Sequence, residues 1–337
     1  MLTRLFCALV MAALVAAMLP LSVVAQEEVR TPVLIDTDMS QDDWMAILYL
    51  LQHSEVEVLA ITLTGAGIAH CDPGVQNTMN LLALAGNPEI PVTCGRETPL
   101  EGNHAFPDQW REGPDAMLGL PLPENTSPLL EIAAVELLTN TIQNSSDKIT
   151  LVALGPLTNL AEAFTAKPTL VENVAMVYIM GGAVNVPGTV WIPGVVEDPV
   201  AEWNIWVDPL AALQVLESGV PITLVPLDAS NDVPLTYKFH REYEDTAATP
   251  EAKFVIDVTK ILSGSQGYYF WDPLAAAIAT DESLTTIEER TLTVVTEEGA
   301  LSGQLVEAED GIAIRVAFGA DSERFKVLFM TVLNSTD

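Results

Sequence analysis

Positive charge is scarce in this chain: 14 lysines and arginines stand against 46 acidic residues, for a formal net charge of −32. A surface of that sign repels polyanions, which excludes nucleic acid and anionic lipid as partners and favours solubility. Cysteine is scarcer still, with three in all. Cys7 lies in the leading segment, so Cys71 and Cys94 are the only later pair, and their spacing matches no zinc-binding pattern. They read either as a disulfide, where the compartment is oxidising, or as two buried thiols. An internal repeat, a low-complexity linker and a second long apolar run are also missing. What is left is a globular chain, long enough for two average domains or for one large sheet.

The chain opens on Arg4, followed by an almost wholly apolar run from Leu5 to Leu19 and by the small residues Val23, Val24 and Ala25. This is the pattern of a secretory signal peptide, residues 1–25, cleaved before Gln26. An uncleaved membrane anchor is the alternative, against which the apolar run is short and the cleavage site good. The expectation is an exported mature chain, secreted or periplasmic, with no stable membrane association after cleavage.

Carboxylates concentrate near the start of that mature chain. Asp36, Asp38, Asp42 and Asp43 fall together in Val33-Leu34-Ile35-Asp36-Thr37-Asp38-Met39-Ser40-Gln41-Asp42-Asp43-Trp44. The run starts as an apolar strand and ends in an amphipathic helix whose apolar stripe is Trp44, Ile47, Leu48 and Leu51. The acids therefore crowd at one strand-to-helix turn, where like charges force protons back on unless a cation neutralises them. Carboxylate oxygens are the ligands of hard divalent ions such as calcium, so the pattern predicts a metal site. Helix capping accounts for one or two of these residues at most.

Pro32 to Ile35, Val56 to Leu63, Pro91 to Cys94, Ile149 to Ala153, Val174 to Met180 and Ile222 to Pro226 read as strands. Helical patterns alternate with them over Asp42 to Gln52, Val75 to Ala85, Leu129 to Gln143, Leu157 to Phe164 and Pro209 to Leu216. Later come helices at Ala252 to Ser263, Pro273 to Ala279 and Ser322 to Leu333, and strands near Leu292 to Val295, Gln304 to Glu307 and Ile312 to Val316. Such alternation predicts an α/β fold: a Rossmann-like open, mostly parallel sheet flanked by helices, with ligands outside the carboxyl ends of its strands.

The strand-borne Asp-x-Asp-x-x-x-Asp-Asp run resembles the signature of the inosine-uridine-preferring nucleoside hydrolases. Further motifs follow in that family's order: Leu151-Val152-Ala153-Leu154-Gly155-Pro156-Leu157-Thr158-Asn159, Met180-Gly181-Gly182-Ala183, Ala201-Glu202-Trp203-Asn204-Ile205-Trp206-Val207-Asp208-Pro209 and Trp271-Asp272-Pro273. A closing hairpin from Ser302-Gly303-Gln304 to Val316 completes the set. The resemblance spans about residues 31–334 and implies the nucleoside hydrolase fold as one domain over 26–337.

It also implies a reaction: calcium-dependent hydrolysis of the N-glycosidic bond of a ribonucleoside to free base and ribose. Calcium takes about six to eight oxygens. The resemblance assigns them to Asp38, both oxygens of Asp43, the main-chain carbonyl of Leu154 and Asp272, completed by water and substrate hydroxyls. Asp38 would take the proton of the attacking water, and Asp42, Met180, Glu202 and Asn204 match sugar-binding positions. Asp36 is expected to support the turn as a buried strut. The family commonly forms homo-oligomers, and nothing in the sequence marks an interface.

Many members carry histidine just before the last metal aspartate, where it protonates the departing base; here the residue is Trp271, which is similar to the purine-preferring branch. An indole stacked on the base raises the basicity of the ring nitrogen, and Trp110, in His104-Ala105-Phe106-Pro107-Asp108-Gln109-Trp110-Arg111, offers a second stacking face. His104 as a mobile acid is the alternative. Two departures remove expected sugar contacts: Gly67 and Thr189 stand where the family usually has asparagine. Asn77 fits another family asparagine, with a structural role equally open. Two other functions compete. An exported calcium-dependent nucleoside-binding protein would bind without turnover. A haloacid-dehalogenase-like phosphatase would share the Asp-x-Asp strand, but Ser40 stands where that family expects threonine or valine, and no phosphate-gripping lysine is evident.

Overall fold

Side-chain alternation builds the sheet. In β1 (Thr31–Thr37), Val33 and Ile35 enter one apolar core and Leu34 the other. In β4 (Ile149–Ala153) and β5 (Val174–Met180), Val152, Tyr178 and Met180 join the first core, while Ile149, Leu151, Ala153, Val177 and Ile179 join the second. Strands buried on both faces need helices on both faces, and the intervening helices supply them. The computed structural model describes residues 30–264 and 267–336, so the expected signal peptide, 1–25, lies outside the described residues. Among those described, no helix is long and apolar enough to cross a membrane.

The remaining strands are β2 (Val56–Leu63), β3 (Val92–Cys94), β6 (Ile222–Val225), β7 (Thr285–Val294), β8 (Leu305–Glu307) and β9 (Ile312–Ala320), and the nine pair in the order β3-β2-β1-β4-β5-β6-β9-β7-β8. From β3 to β9 every pair is parallel, and β7 runs antiparallel to both β9 and β8. The expected α/β fold is present. The expected closing hairpin is not: β8 and β9 never pair, because β7 lies between them and takes one on each edge. The helix expected from Leu129 begins at Ala134, with Leu129 and Leu130 exposed on the extended chain before it.

The chain leaves β1 between β2 on one side and β4 on the other, the point where strand order reverses and a crevice opens at the carboxyl ends. Register puts Asp36 level with Thr62 on β2 and Ala153 on β4. Behind β2, Cys71 at the start of the Cys71–Leu84 helix is bridged to Cys94 at the end of β3, which settles the cysteine alternatives in favour of the disulfide.

Candidate active site

The strand-to-helix turn after β1 is tightly determined. Met39 adopts a left-handed backbone, φ 59°, an unfavourable conformation for a residue with a Cβ. It is held from both sides: its N–H donates to the Thr37 hydroxyl at 3.0 Å, and its carbonyl accepts the Trp44 indole N–H at 3.0 Å. Asp43 accepts the Thr37 hydroxyl and, at 2.8 Å, the main-chain N–H of Ser40, so it caps the Gln41–Gln52 helix. Asp42 accepts the hydroxyls of Ser40 at 2.5 Å and Tyr268 at 3.0 Å. The N–H of Asp272, in the first turn of the Trp271–Thr280 helix, donates to its other oxygen at 3.4 Å.

These contacts draw the carboxylates together. Oxygens of Asp42, Asp43 and Asp272 lie within 4.8 Å of one another. The carboxyl of Asp43 also touches those of Asp38 and Asp272. Asp42, expected on the sugar alone, is thus a member of the acidic group as well. All four are buried, and burial first, then mutual repulsion, holds Asp38 and Asp272 well above the usual carboxylate range. Burial and the charge of Asp42 bring Asp43 to about 6. Asp272 Oδ1 is buried with no hydrogen-bond partner among the described residues.

Asp38 is also clasped by backbone. A Cβ on Gly67 would come within 2.1 Å of the Asp38 Cβ, and one on Gly155 within 2.7 Å. Gly67 therefore cannot carry the asparagine expected at its position without moving Asp38. Asp38 Oδ2 accepts Ile68 N–H at 3.2 Å, and its carbonyl accepts Ala69 N–H at 3.0 Å. Asp36 behaves as the expected strut: Thr62 Oγ1 donates to it at 2.5 Å and Asn159 Nδ2 at 2.8 Å, and burial pushes it up to about 7.

On the neighbouring rim, Glu202 caps the short Trp203–Val207 helix, accepting the N–H groups of Asn204 at 2.9 Å and Ile205 at 3.3 Å, and also that of Gly182 at 2.9 Å. The Asn204 amide donates to the carbonyls of Leu154 at 3.1 Å and Met180 at 3.2 Å. Leu154, Met180, Glu202 and Asn204 are therefore one buried constellation across three elements. Thr189, the other departure, is exposed, and its N–H is tied to Ala201 at 2.9 Å. Asn77 has a structural bond set, donating to the carbonyls of Pro114 and Asp115 at 3.3 and 3.0 Å.

The aromatic residues divide into two groups. Trp271 packs against Tyr268 at 4.8 Å and Tyr269 at 5.7 Å between ring centroids, and its indole N–H has no partner among the described residues. Trp110, 44% exposed, meets Trp203 edge-on at 5.0 Å, and Trp203 stacks on Phe106. No ring contact joins Trp110 to Trp271 among the described residues. His104 is not isolated: it stacks on Trp206 at 3.9 Å, with Nδ1 2.6 Å from the Trp206 carbonyl oxygen and Nε2 3.0 Å from Glu298. Sequence reasoning missed Tyr268, whose hydroxyl reaches Asp42 across the fold, and the glycine clasp, for which Gly155 inside a motif was the one available signal.

The profile of the family described as inosine-uridine preferring nucleoside hydrolase matches residues 33–327. Pyrimidine-specific ribonucleoside hydrolase RihA of Escherichia coli O1:K1 is 35% identical over 215 residues, 64% of this chain and 64% of that protein. The matched stretch thus spans a little under two thirds of that relative. RihA of Citrobacter koseri is 32% identical over 288 residues, 82% of this chain and 87% of that protein. Among solved structures, the inosine-uridine preferring nucleoside hydrolase from Bacillus anthracis superposes with a TM-score of 0.80 at 25% identity, covering 90% of this chain and 99% of that one. The purine-preferring ribonucleoside hydrolase from Gardnerella vaginalis does so at 0.76 and 26%, covering 90% and 98%. With its acidic turn inside a match that runs almost end to end, the chain belongs to the inosine-uridine preferring nucleoside hydrolase family.

Proposed function

We propose that the protein hydrolyses the N-glycosidic bond of ribonucleosides to free base and ribose, with calcium as its metal. One observation carries this reading: Asp272 Oδ1, without a hydrogen-bond partner among the described residues, within a buried group of four carboxylates. Crowded buried carboxylates call for a cation, and a donor set made only of oxygen suits a hard divalent ion. The residues fit one: Asp43 and Asp272, whose oxygens gather with one of Asp42, would hold it, joined by Asp38 beside Asp43 and by the Leu154 carbonyl that the family resemblance adds. Bound there, the ion supplies Lewis acidity that makes a water proton easier to remove.

The remaining work belongs to the chain. Asp38 takes the proton of the attacking water on a carboxylate oxygen. Its two oxygens accept long bonds from Ser40 and Ile68, 3.3 and 3.2 Å, which orient them and leave lone pairs free. Asp42, Glu202 and Asn204 bind ribose hydroxyls beside Met180, and the negative charge of the carboxylates Asp42 and Glu202 favours the oxocarbenium-like sugar of the transition state. Attack from the face opposite the base gives inversion. Trp271 stacks on the base and raises its affinity for a proton from solvent, and Trp110 supplies a second wall. Family membership removes the dehalogenase-like phosphatase alternative.

A panel of purine and pyrimidine nucleosides, assayed for reducing sugar with and without a calcium chelator, tests the reading. Ribose release abolished by chelation supports it. Tight nucleoside binding without ribose selects the binding protein instead, and release indifferent to chelation removes the metal. The start of the mature protein at Gln26 is checked by N-terminal sequencing of exported material, and a homo-oligomer by its solution mass.

A further inference from the structure

The segment leaving β2, residues 64–70, is the floor under Asp38. Two of its N–H groups face the aspartate, Ile68 on Oδ2 and Ala69 on the carbonyl, and Gly67 packs against the Asp38 Cβ. Three of its carbonyls face the other way, toward Arg111. Arg111 Nε donates to Ile68 O at 2.9 Å, and Nη2 donates to Ala69 O at 3.3 Å and Gly65 O at 3.5 Å. The planar guanidinium thus reads three main-chain carbonyls at once, a geometry that lysine cannot reproduce. In a chain with 14 basic residues against 46 acidic ones, this cation makes no ion pair among the described residues. The hydrogen bonds of its Nε and Nη2 all go to backbone.

Arg111 also sits in the Asp108–Asp115 helix beside Trp110, and the same helix is latched to the segment by Asp115, which accepts the His70 N–H at 2.9 Å. We propose that Arg111 is a positioning residue: it fixes the 64–70 segment, and through it Asp38, to the helix that carries Trp110. The wall that meets the base and the carboxylate that meets the water are thereby set in one frame. The inference rests on the role given to Asp38 above and goes beyond it, since Arg111 itself touches neither the acidic group nor the sugar constellation.

The test compares the full chain with Arg111→Met and Arg111→Lys, measuring steady-state kinetics on inosine and on a nitrophenyl riboside, calcium affinity by calorimetry, and amide exchange at Ile68 and Ala69. Arg111→Met should lose about a hundredfold in kcat on both substrates with KM within about threefold, the size expected when a reacting group is misplaced by about an ångström. Arg111→Lys should recover about a tenth to a third of the lost rate, because an ammonium restores one or two of the three bonds. Exchange at Ile68 and Ala69 should quicken about tenfold in Arg111→Met. A folded Arg111→Met with parental kcat overturns the proposal, as does a loss confined to KM. Should the parent release no base at all, the functional reading fails separately, and unchanged protection of Ile68 and Ala69 would still overturn the positioning role. If Arg111→Met does not fold, Arg111→Lys with parental kcat and parental exchange does the same.

Discussion

Asp38 is held from several sides: two glycines against its Cβ, one main-chain N–H group on each oxygen, Asp43 alongside. Around Trp271 the packing is loose by comparison, with two tyrosines at tilted angles and an indole N–H that no described residue accepts. Trp110 is looser again, with nearly half its surface exposed. The contrast follows the chemistry assigned to each side. A proton acceptor must hold one geometry against the water, because effective concentration collapses with small displacements. A stacking wall must admit different bases, and aromatic faces tolerate sliding. The rigid half is built on strand ends and a helix start, and the tolerant half on two further helices, with Trp110 inside the Asp108–Asp115 helix and Trp271 at the first position of the Trp271–Thr280 helix.

Mutations on the two sides should therefore separate in size. Asp43→Ala is expected to do most, since Asp43 serves the helix cap, the turn and the acidic group together; calorimetry should show calcium binding lost and turnover down by at least about four orders of magnitude. Asp38→Asn should keep much of the calcium affinity while kcat falls by about 10²–10⁴, and hydrolysis at the parental rate would withdraw Asp38 as the base. Gly67→Ala, which drives a methyl into the Asp38 Cβ, should cost about 10²-fold in kcat with little change in KM. Across the site, Trp271→Ala should slow purine nucleosides about tenfold and nitrophenyl ribosides hardly at all, since an activated leaving group needs no help. An equal loss on both would end the stacking role. Trp110→Ala should be the mildest, about two- to threefold in KM, and a large kcat effect there would erase the contrast between the halves.

Much of the rigid half was legible beforehand because its logic is local. Period-two burial marks β1, β4 and β5, and four acids at a strand-to-helix turn can go nowhere but together. Asp272 is legible only from its place in the family's motif order, since nothing local ties it to residues 230 positions earlier. What stayed hidden is contact made across the fold. Tyr268 reads as one aromatic among many until its hydroxyl meets Asp42, and Arg111 as a surface cation until its guanidinium meets three carbonyls. His104 looked isolated because its partners, Trp206 and Glu298, lie far away in the chain. The insertion of β7 between β8 and β9 was equally invisible: strand periodicity reports which residues are buried, not which neighbour they choose.

The glycine clasp limits how this protein can be re-engineered. A selection for altered sugars that randomises positions 67 and 155 would sample almost only dead clones, since any side chain larger than hydrogen collides with the aspartate beneath. Libraries would do better on the exposed Thr189 itself, which leaves the acidic floor untouched, and would leave alone its closed neighbours Gly188, hard against the Ala201 backbone, and the buried Val190.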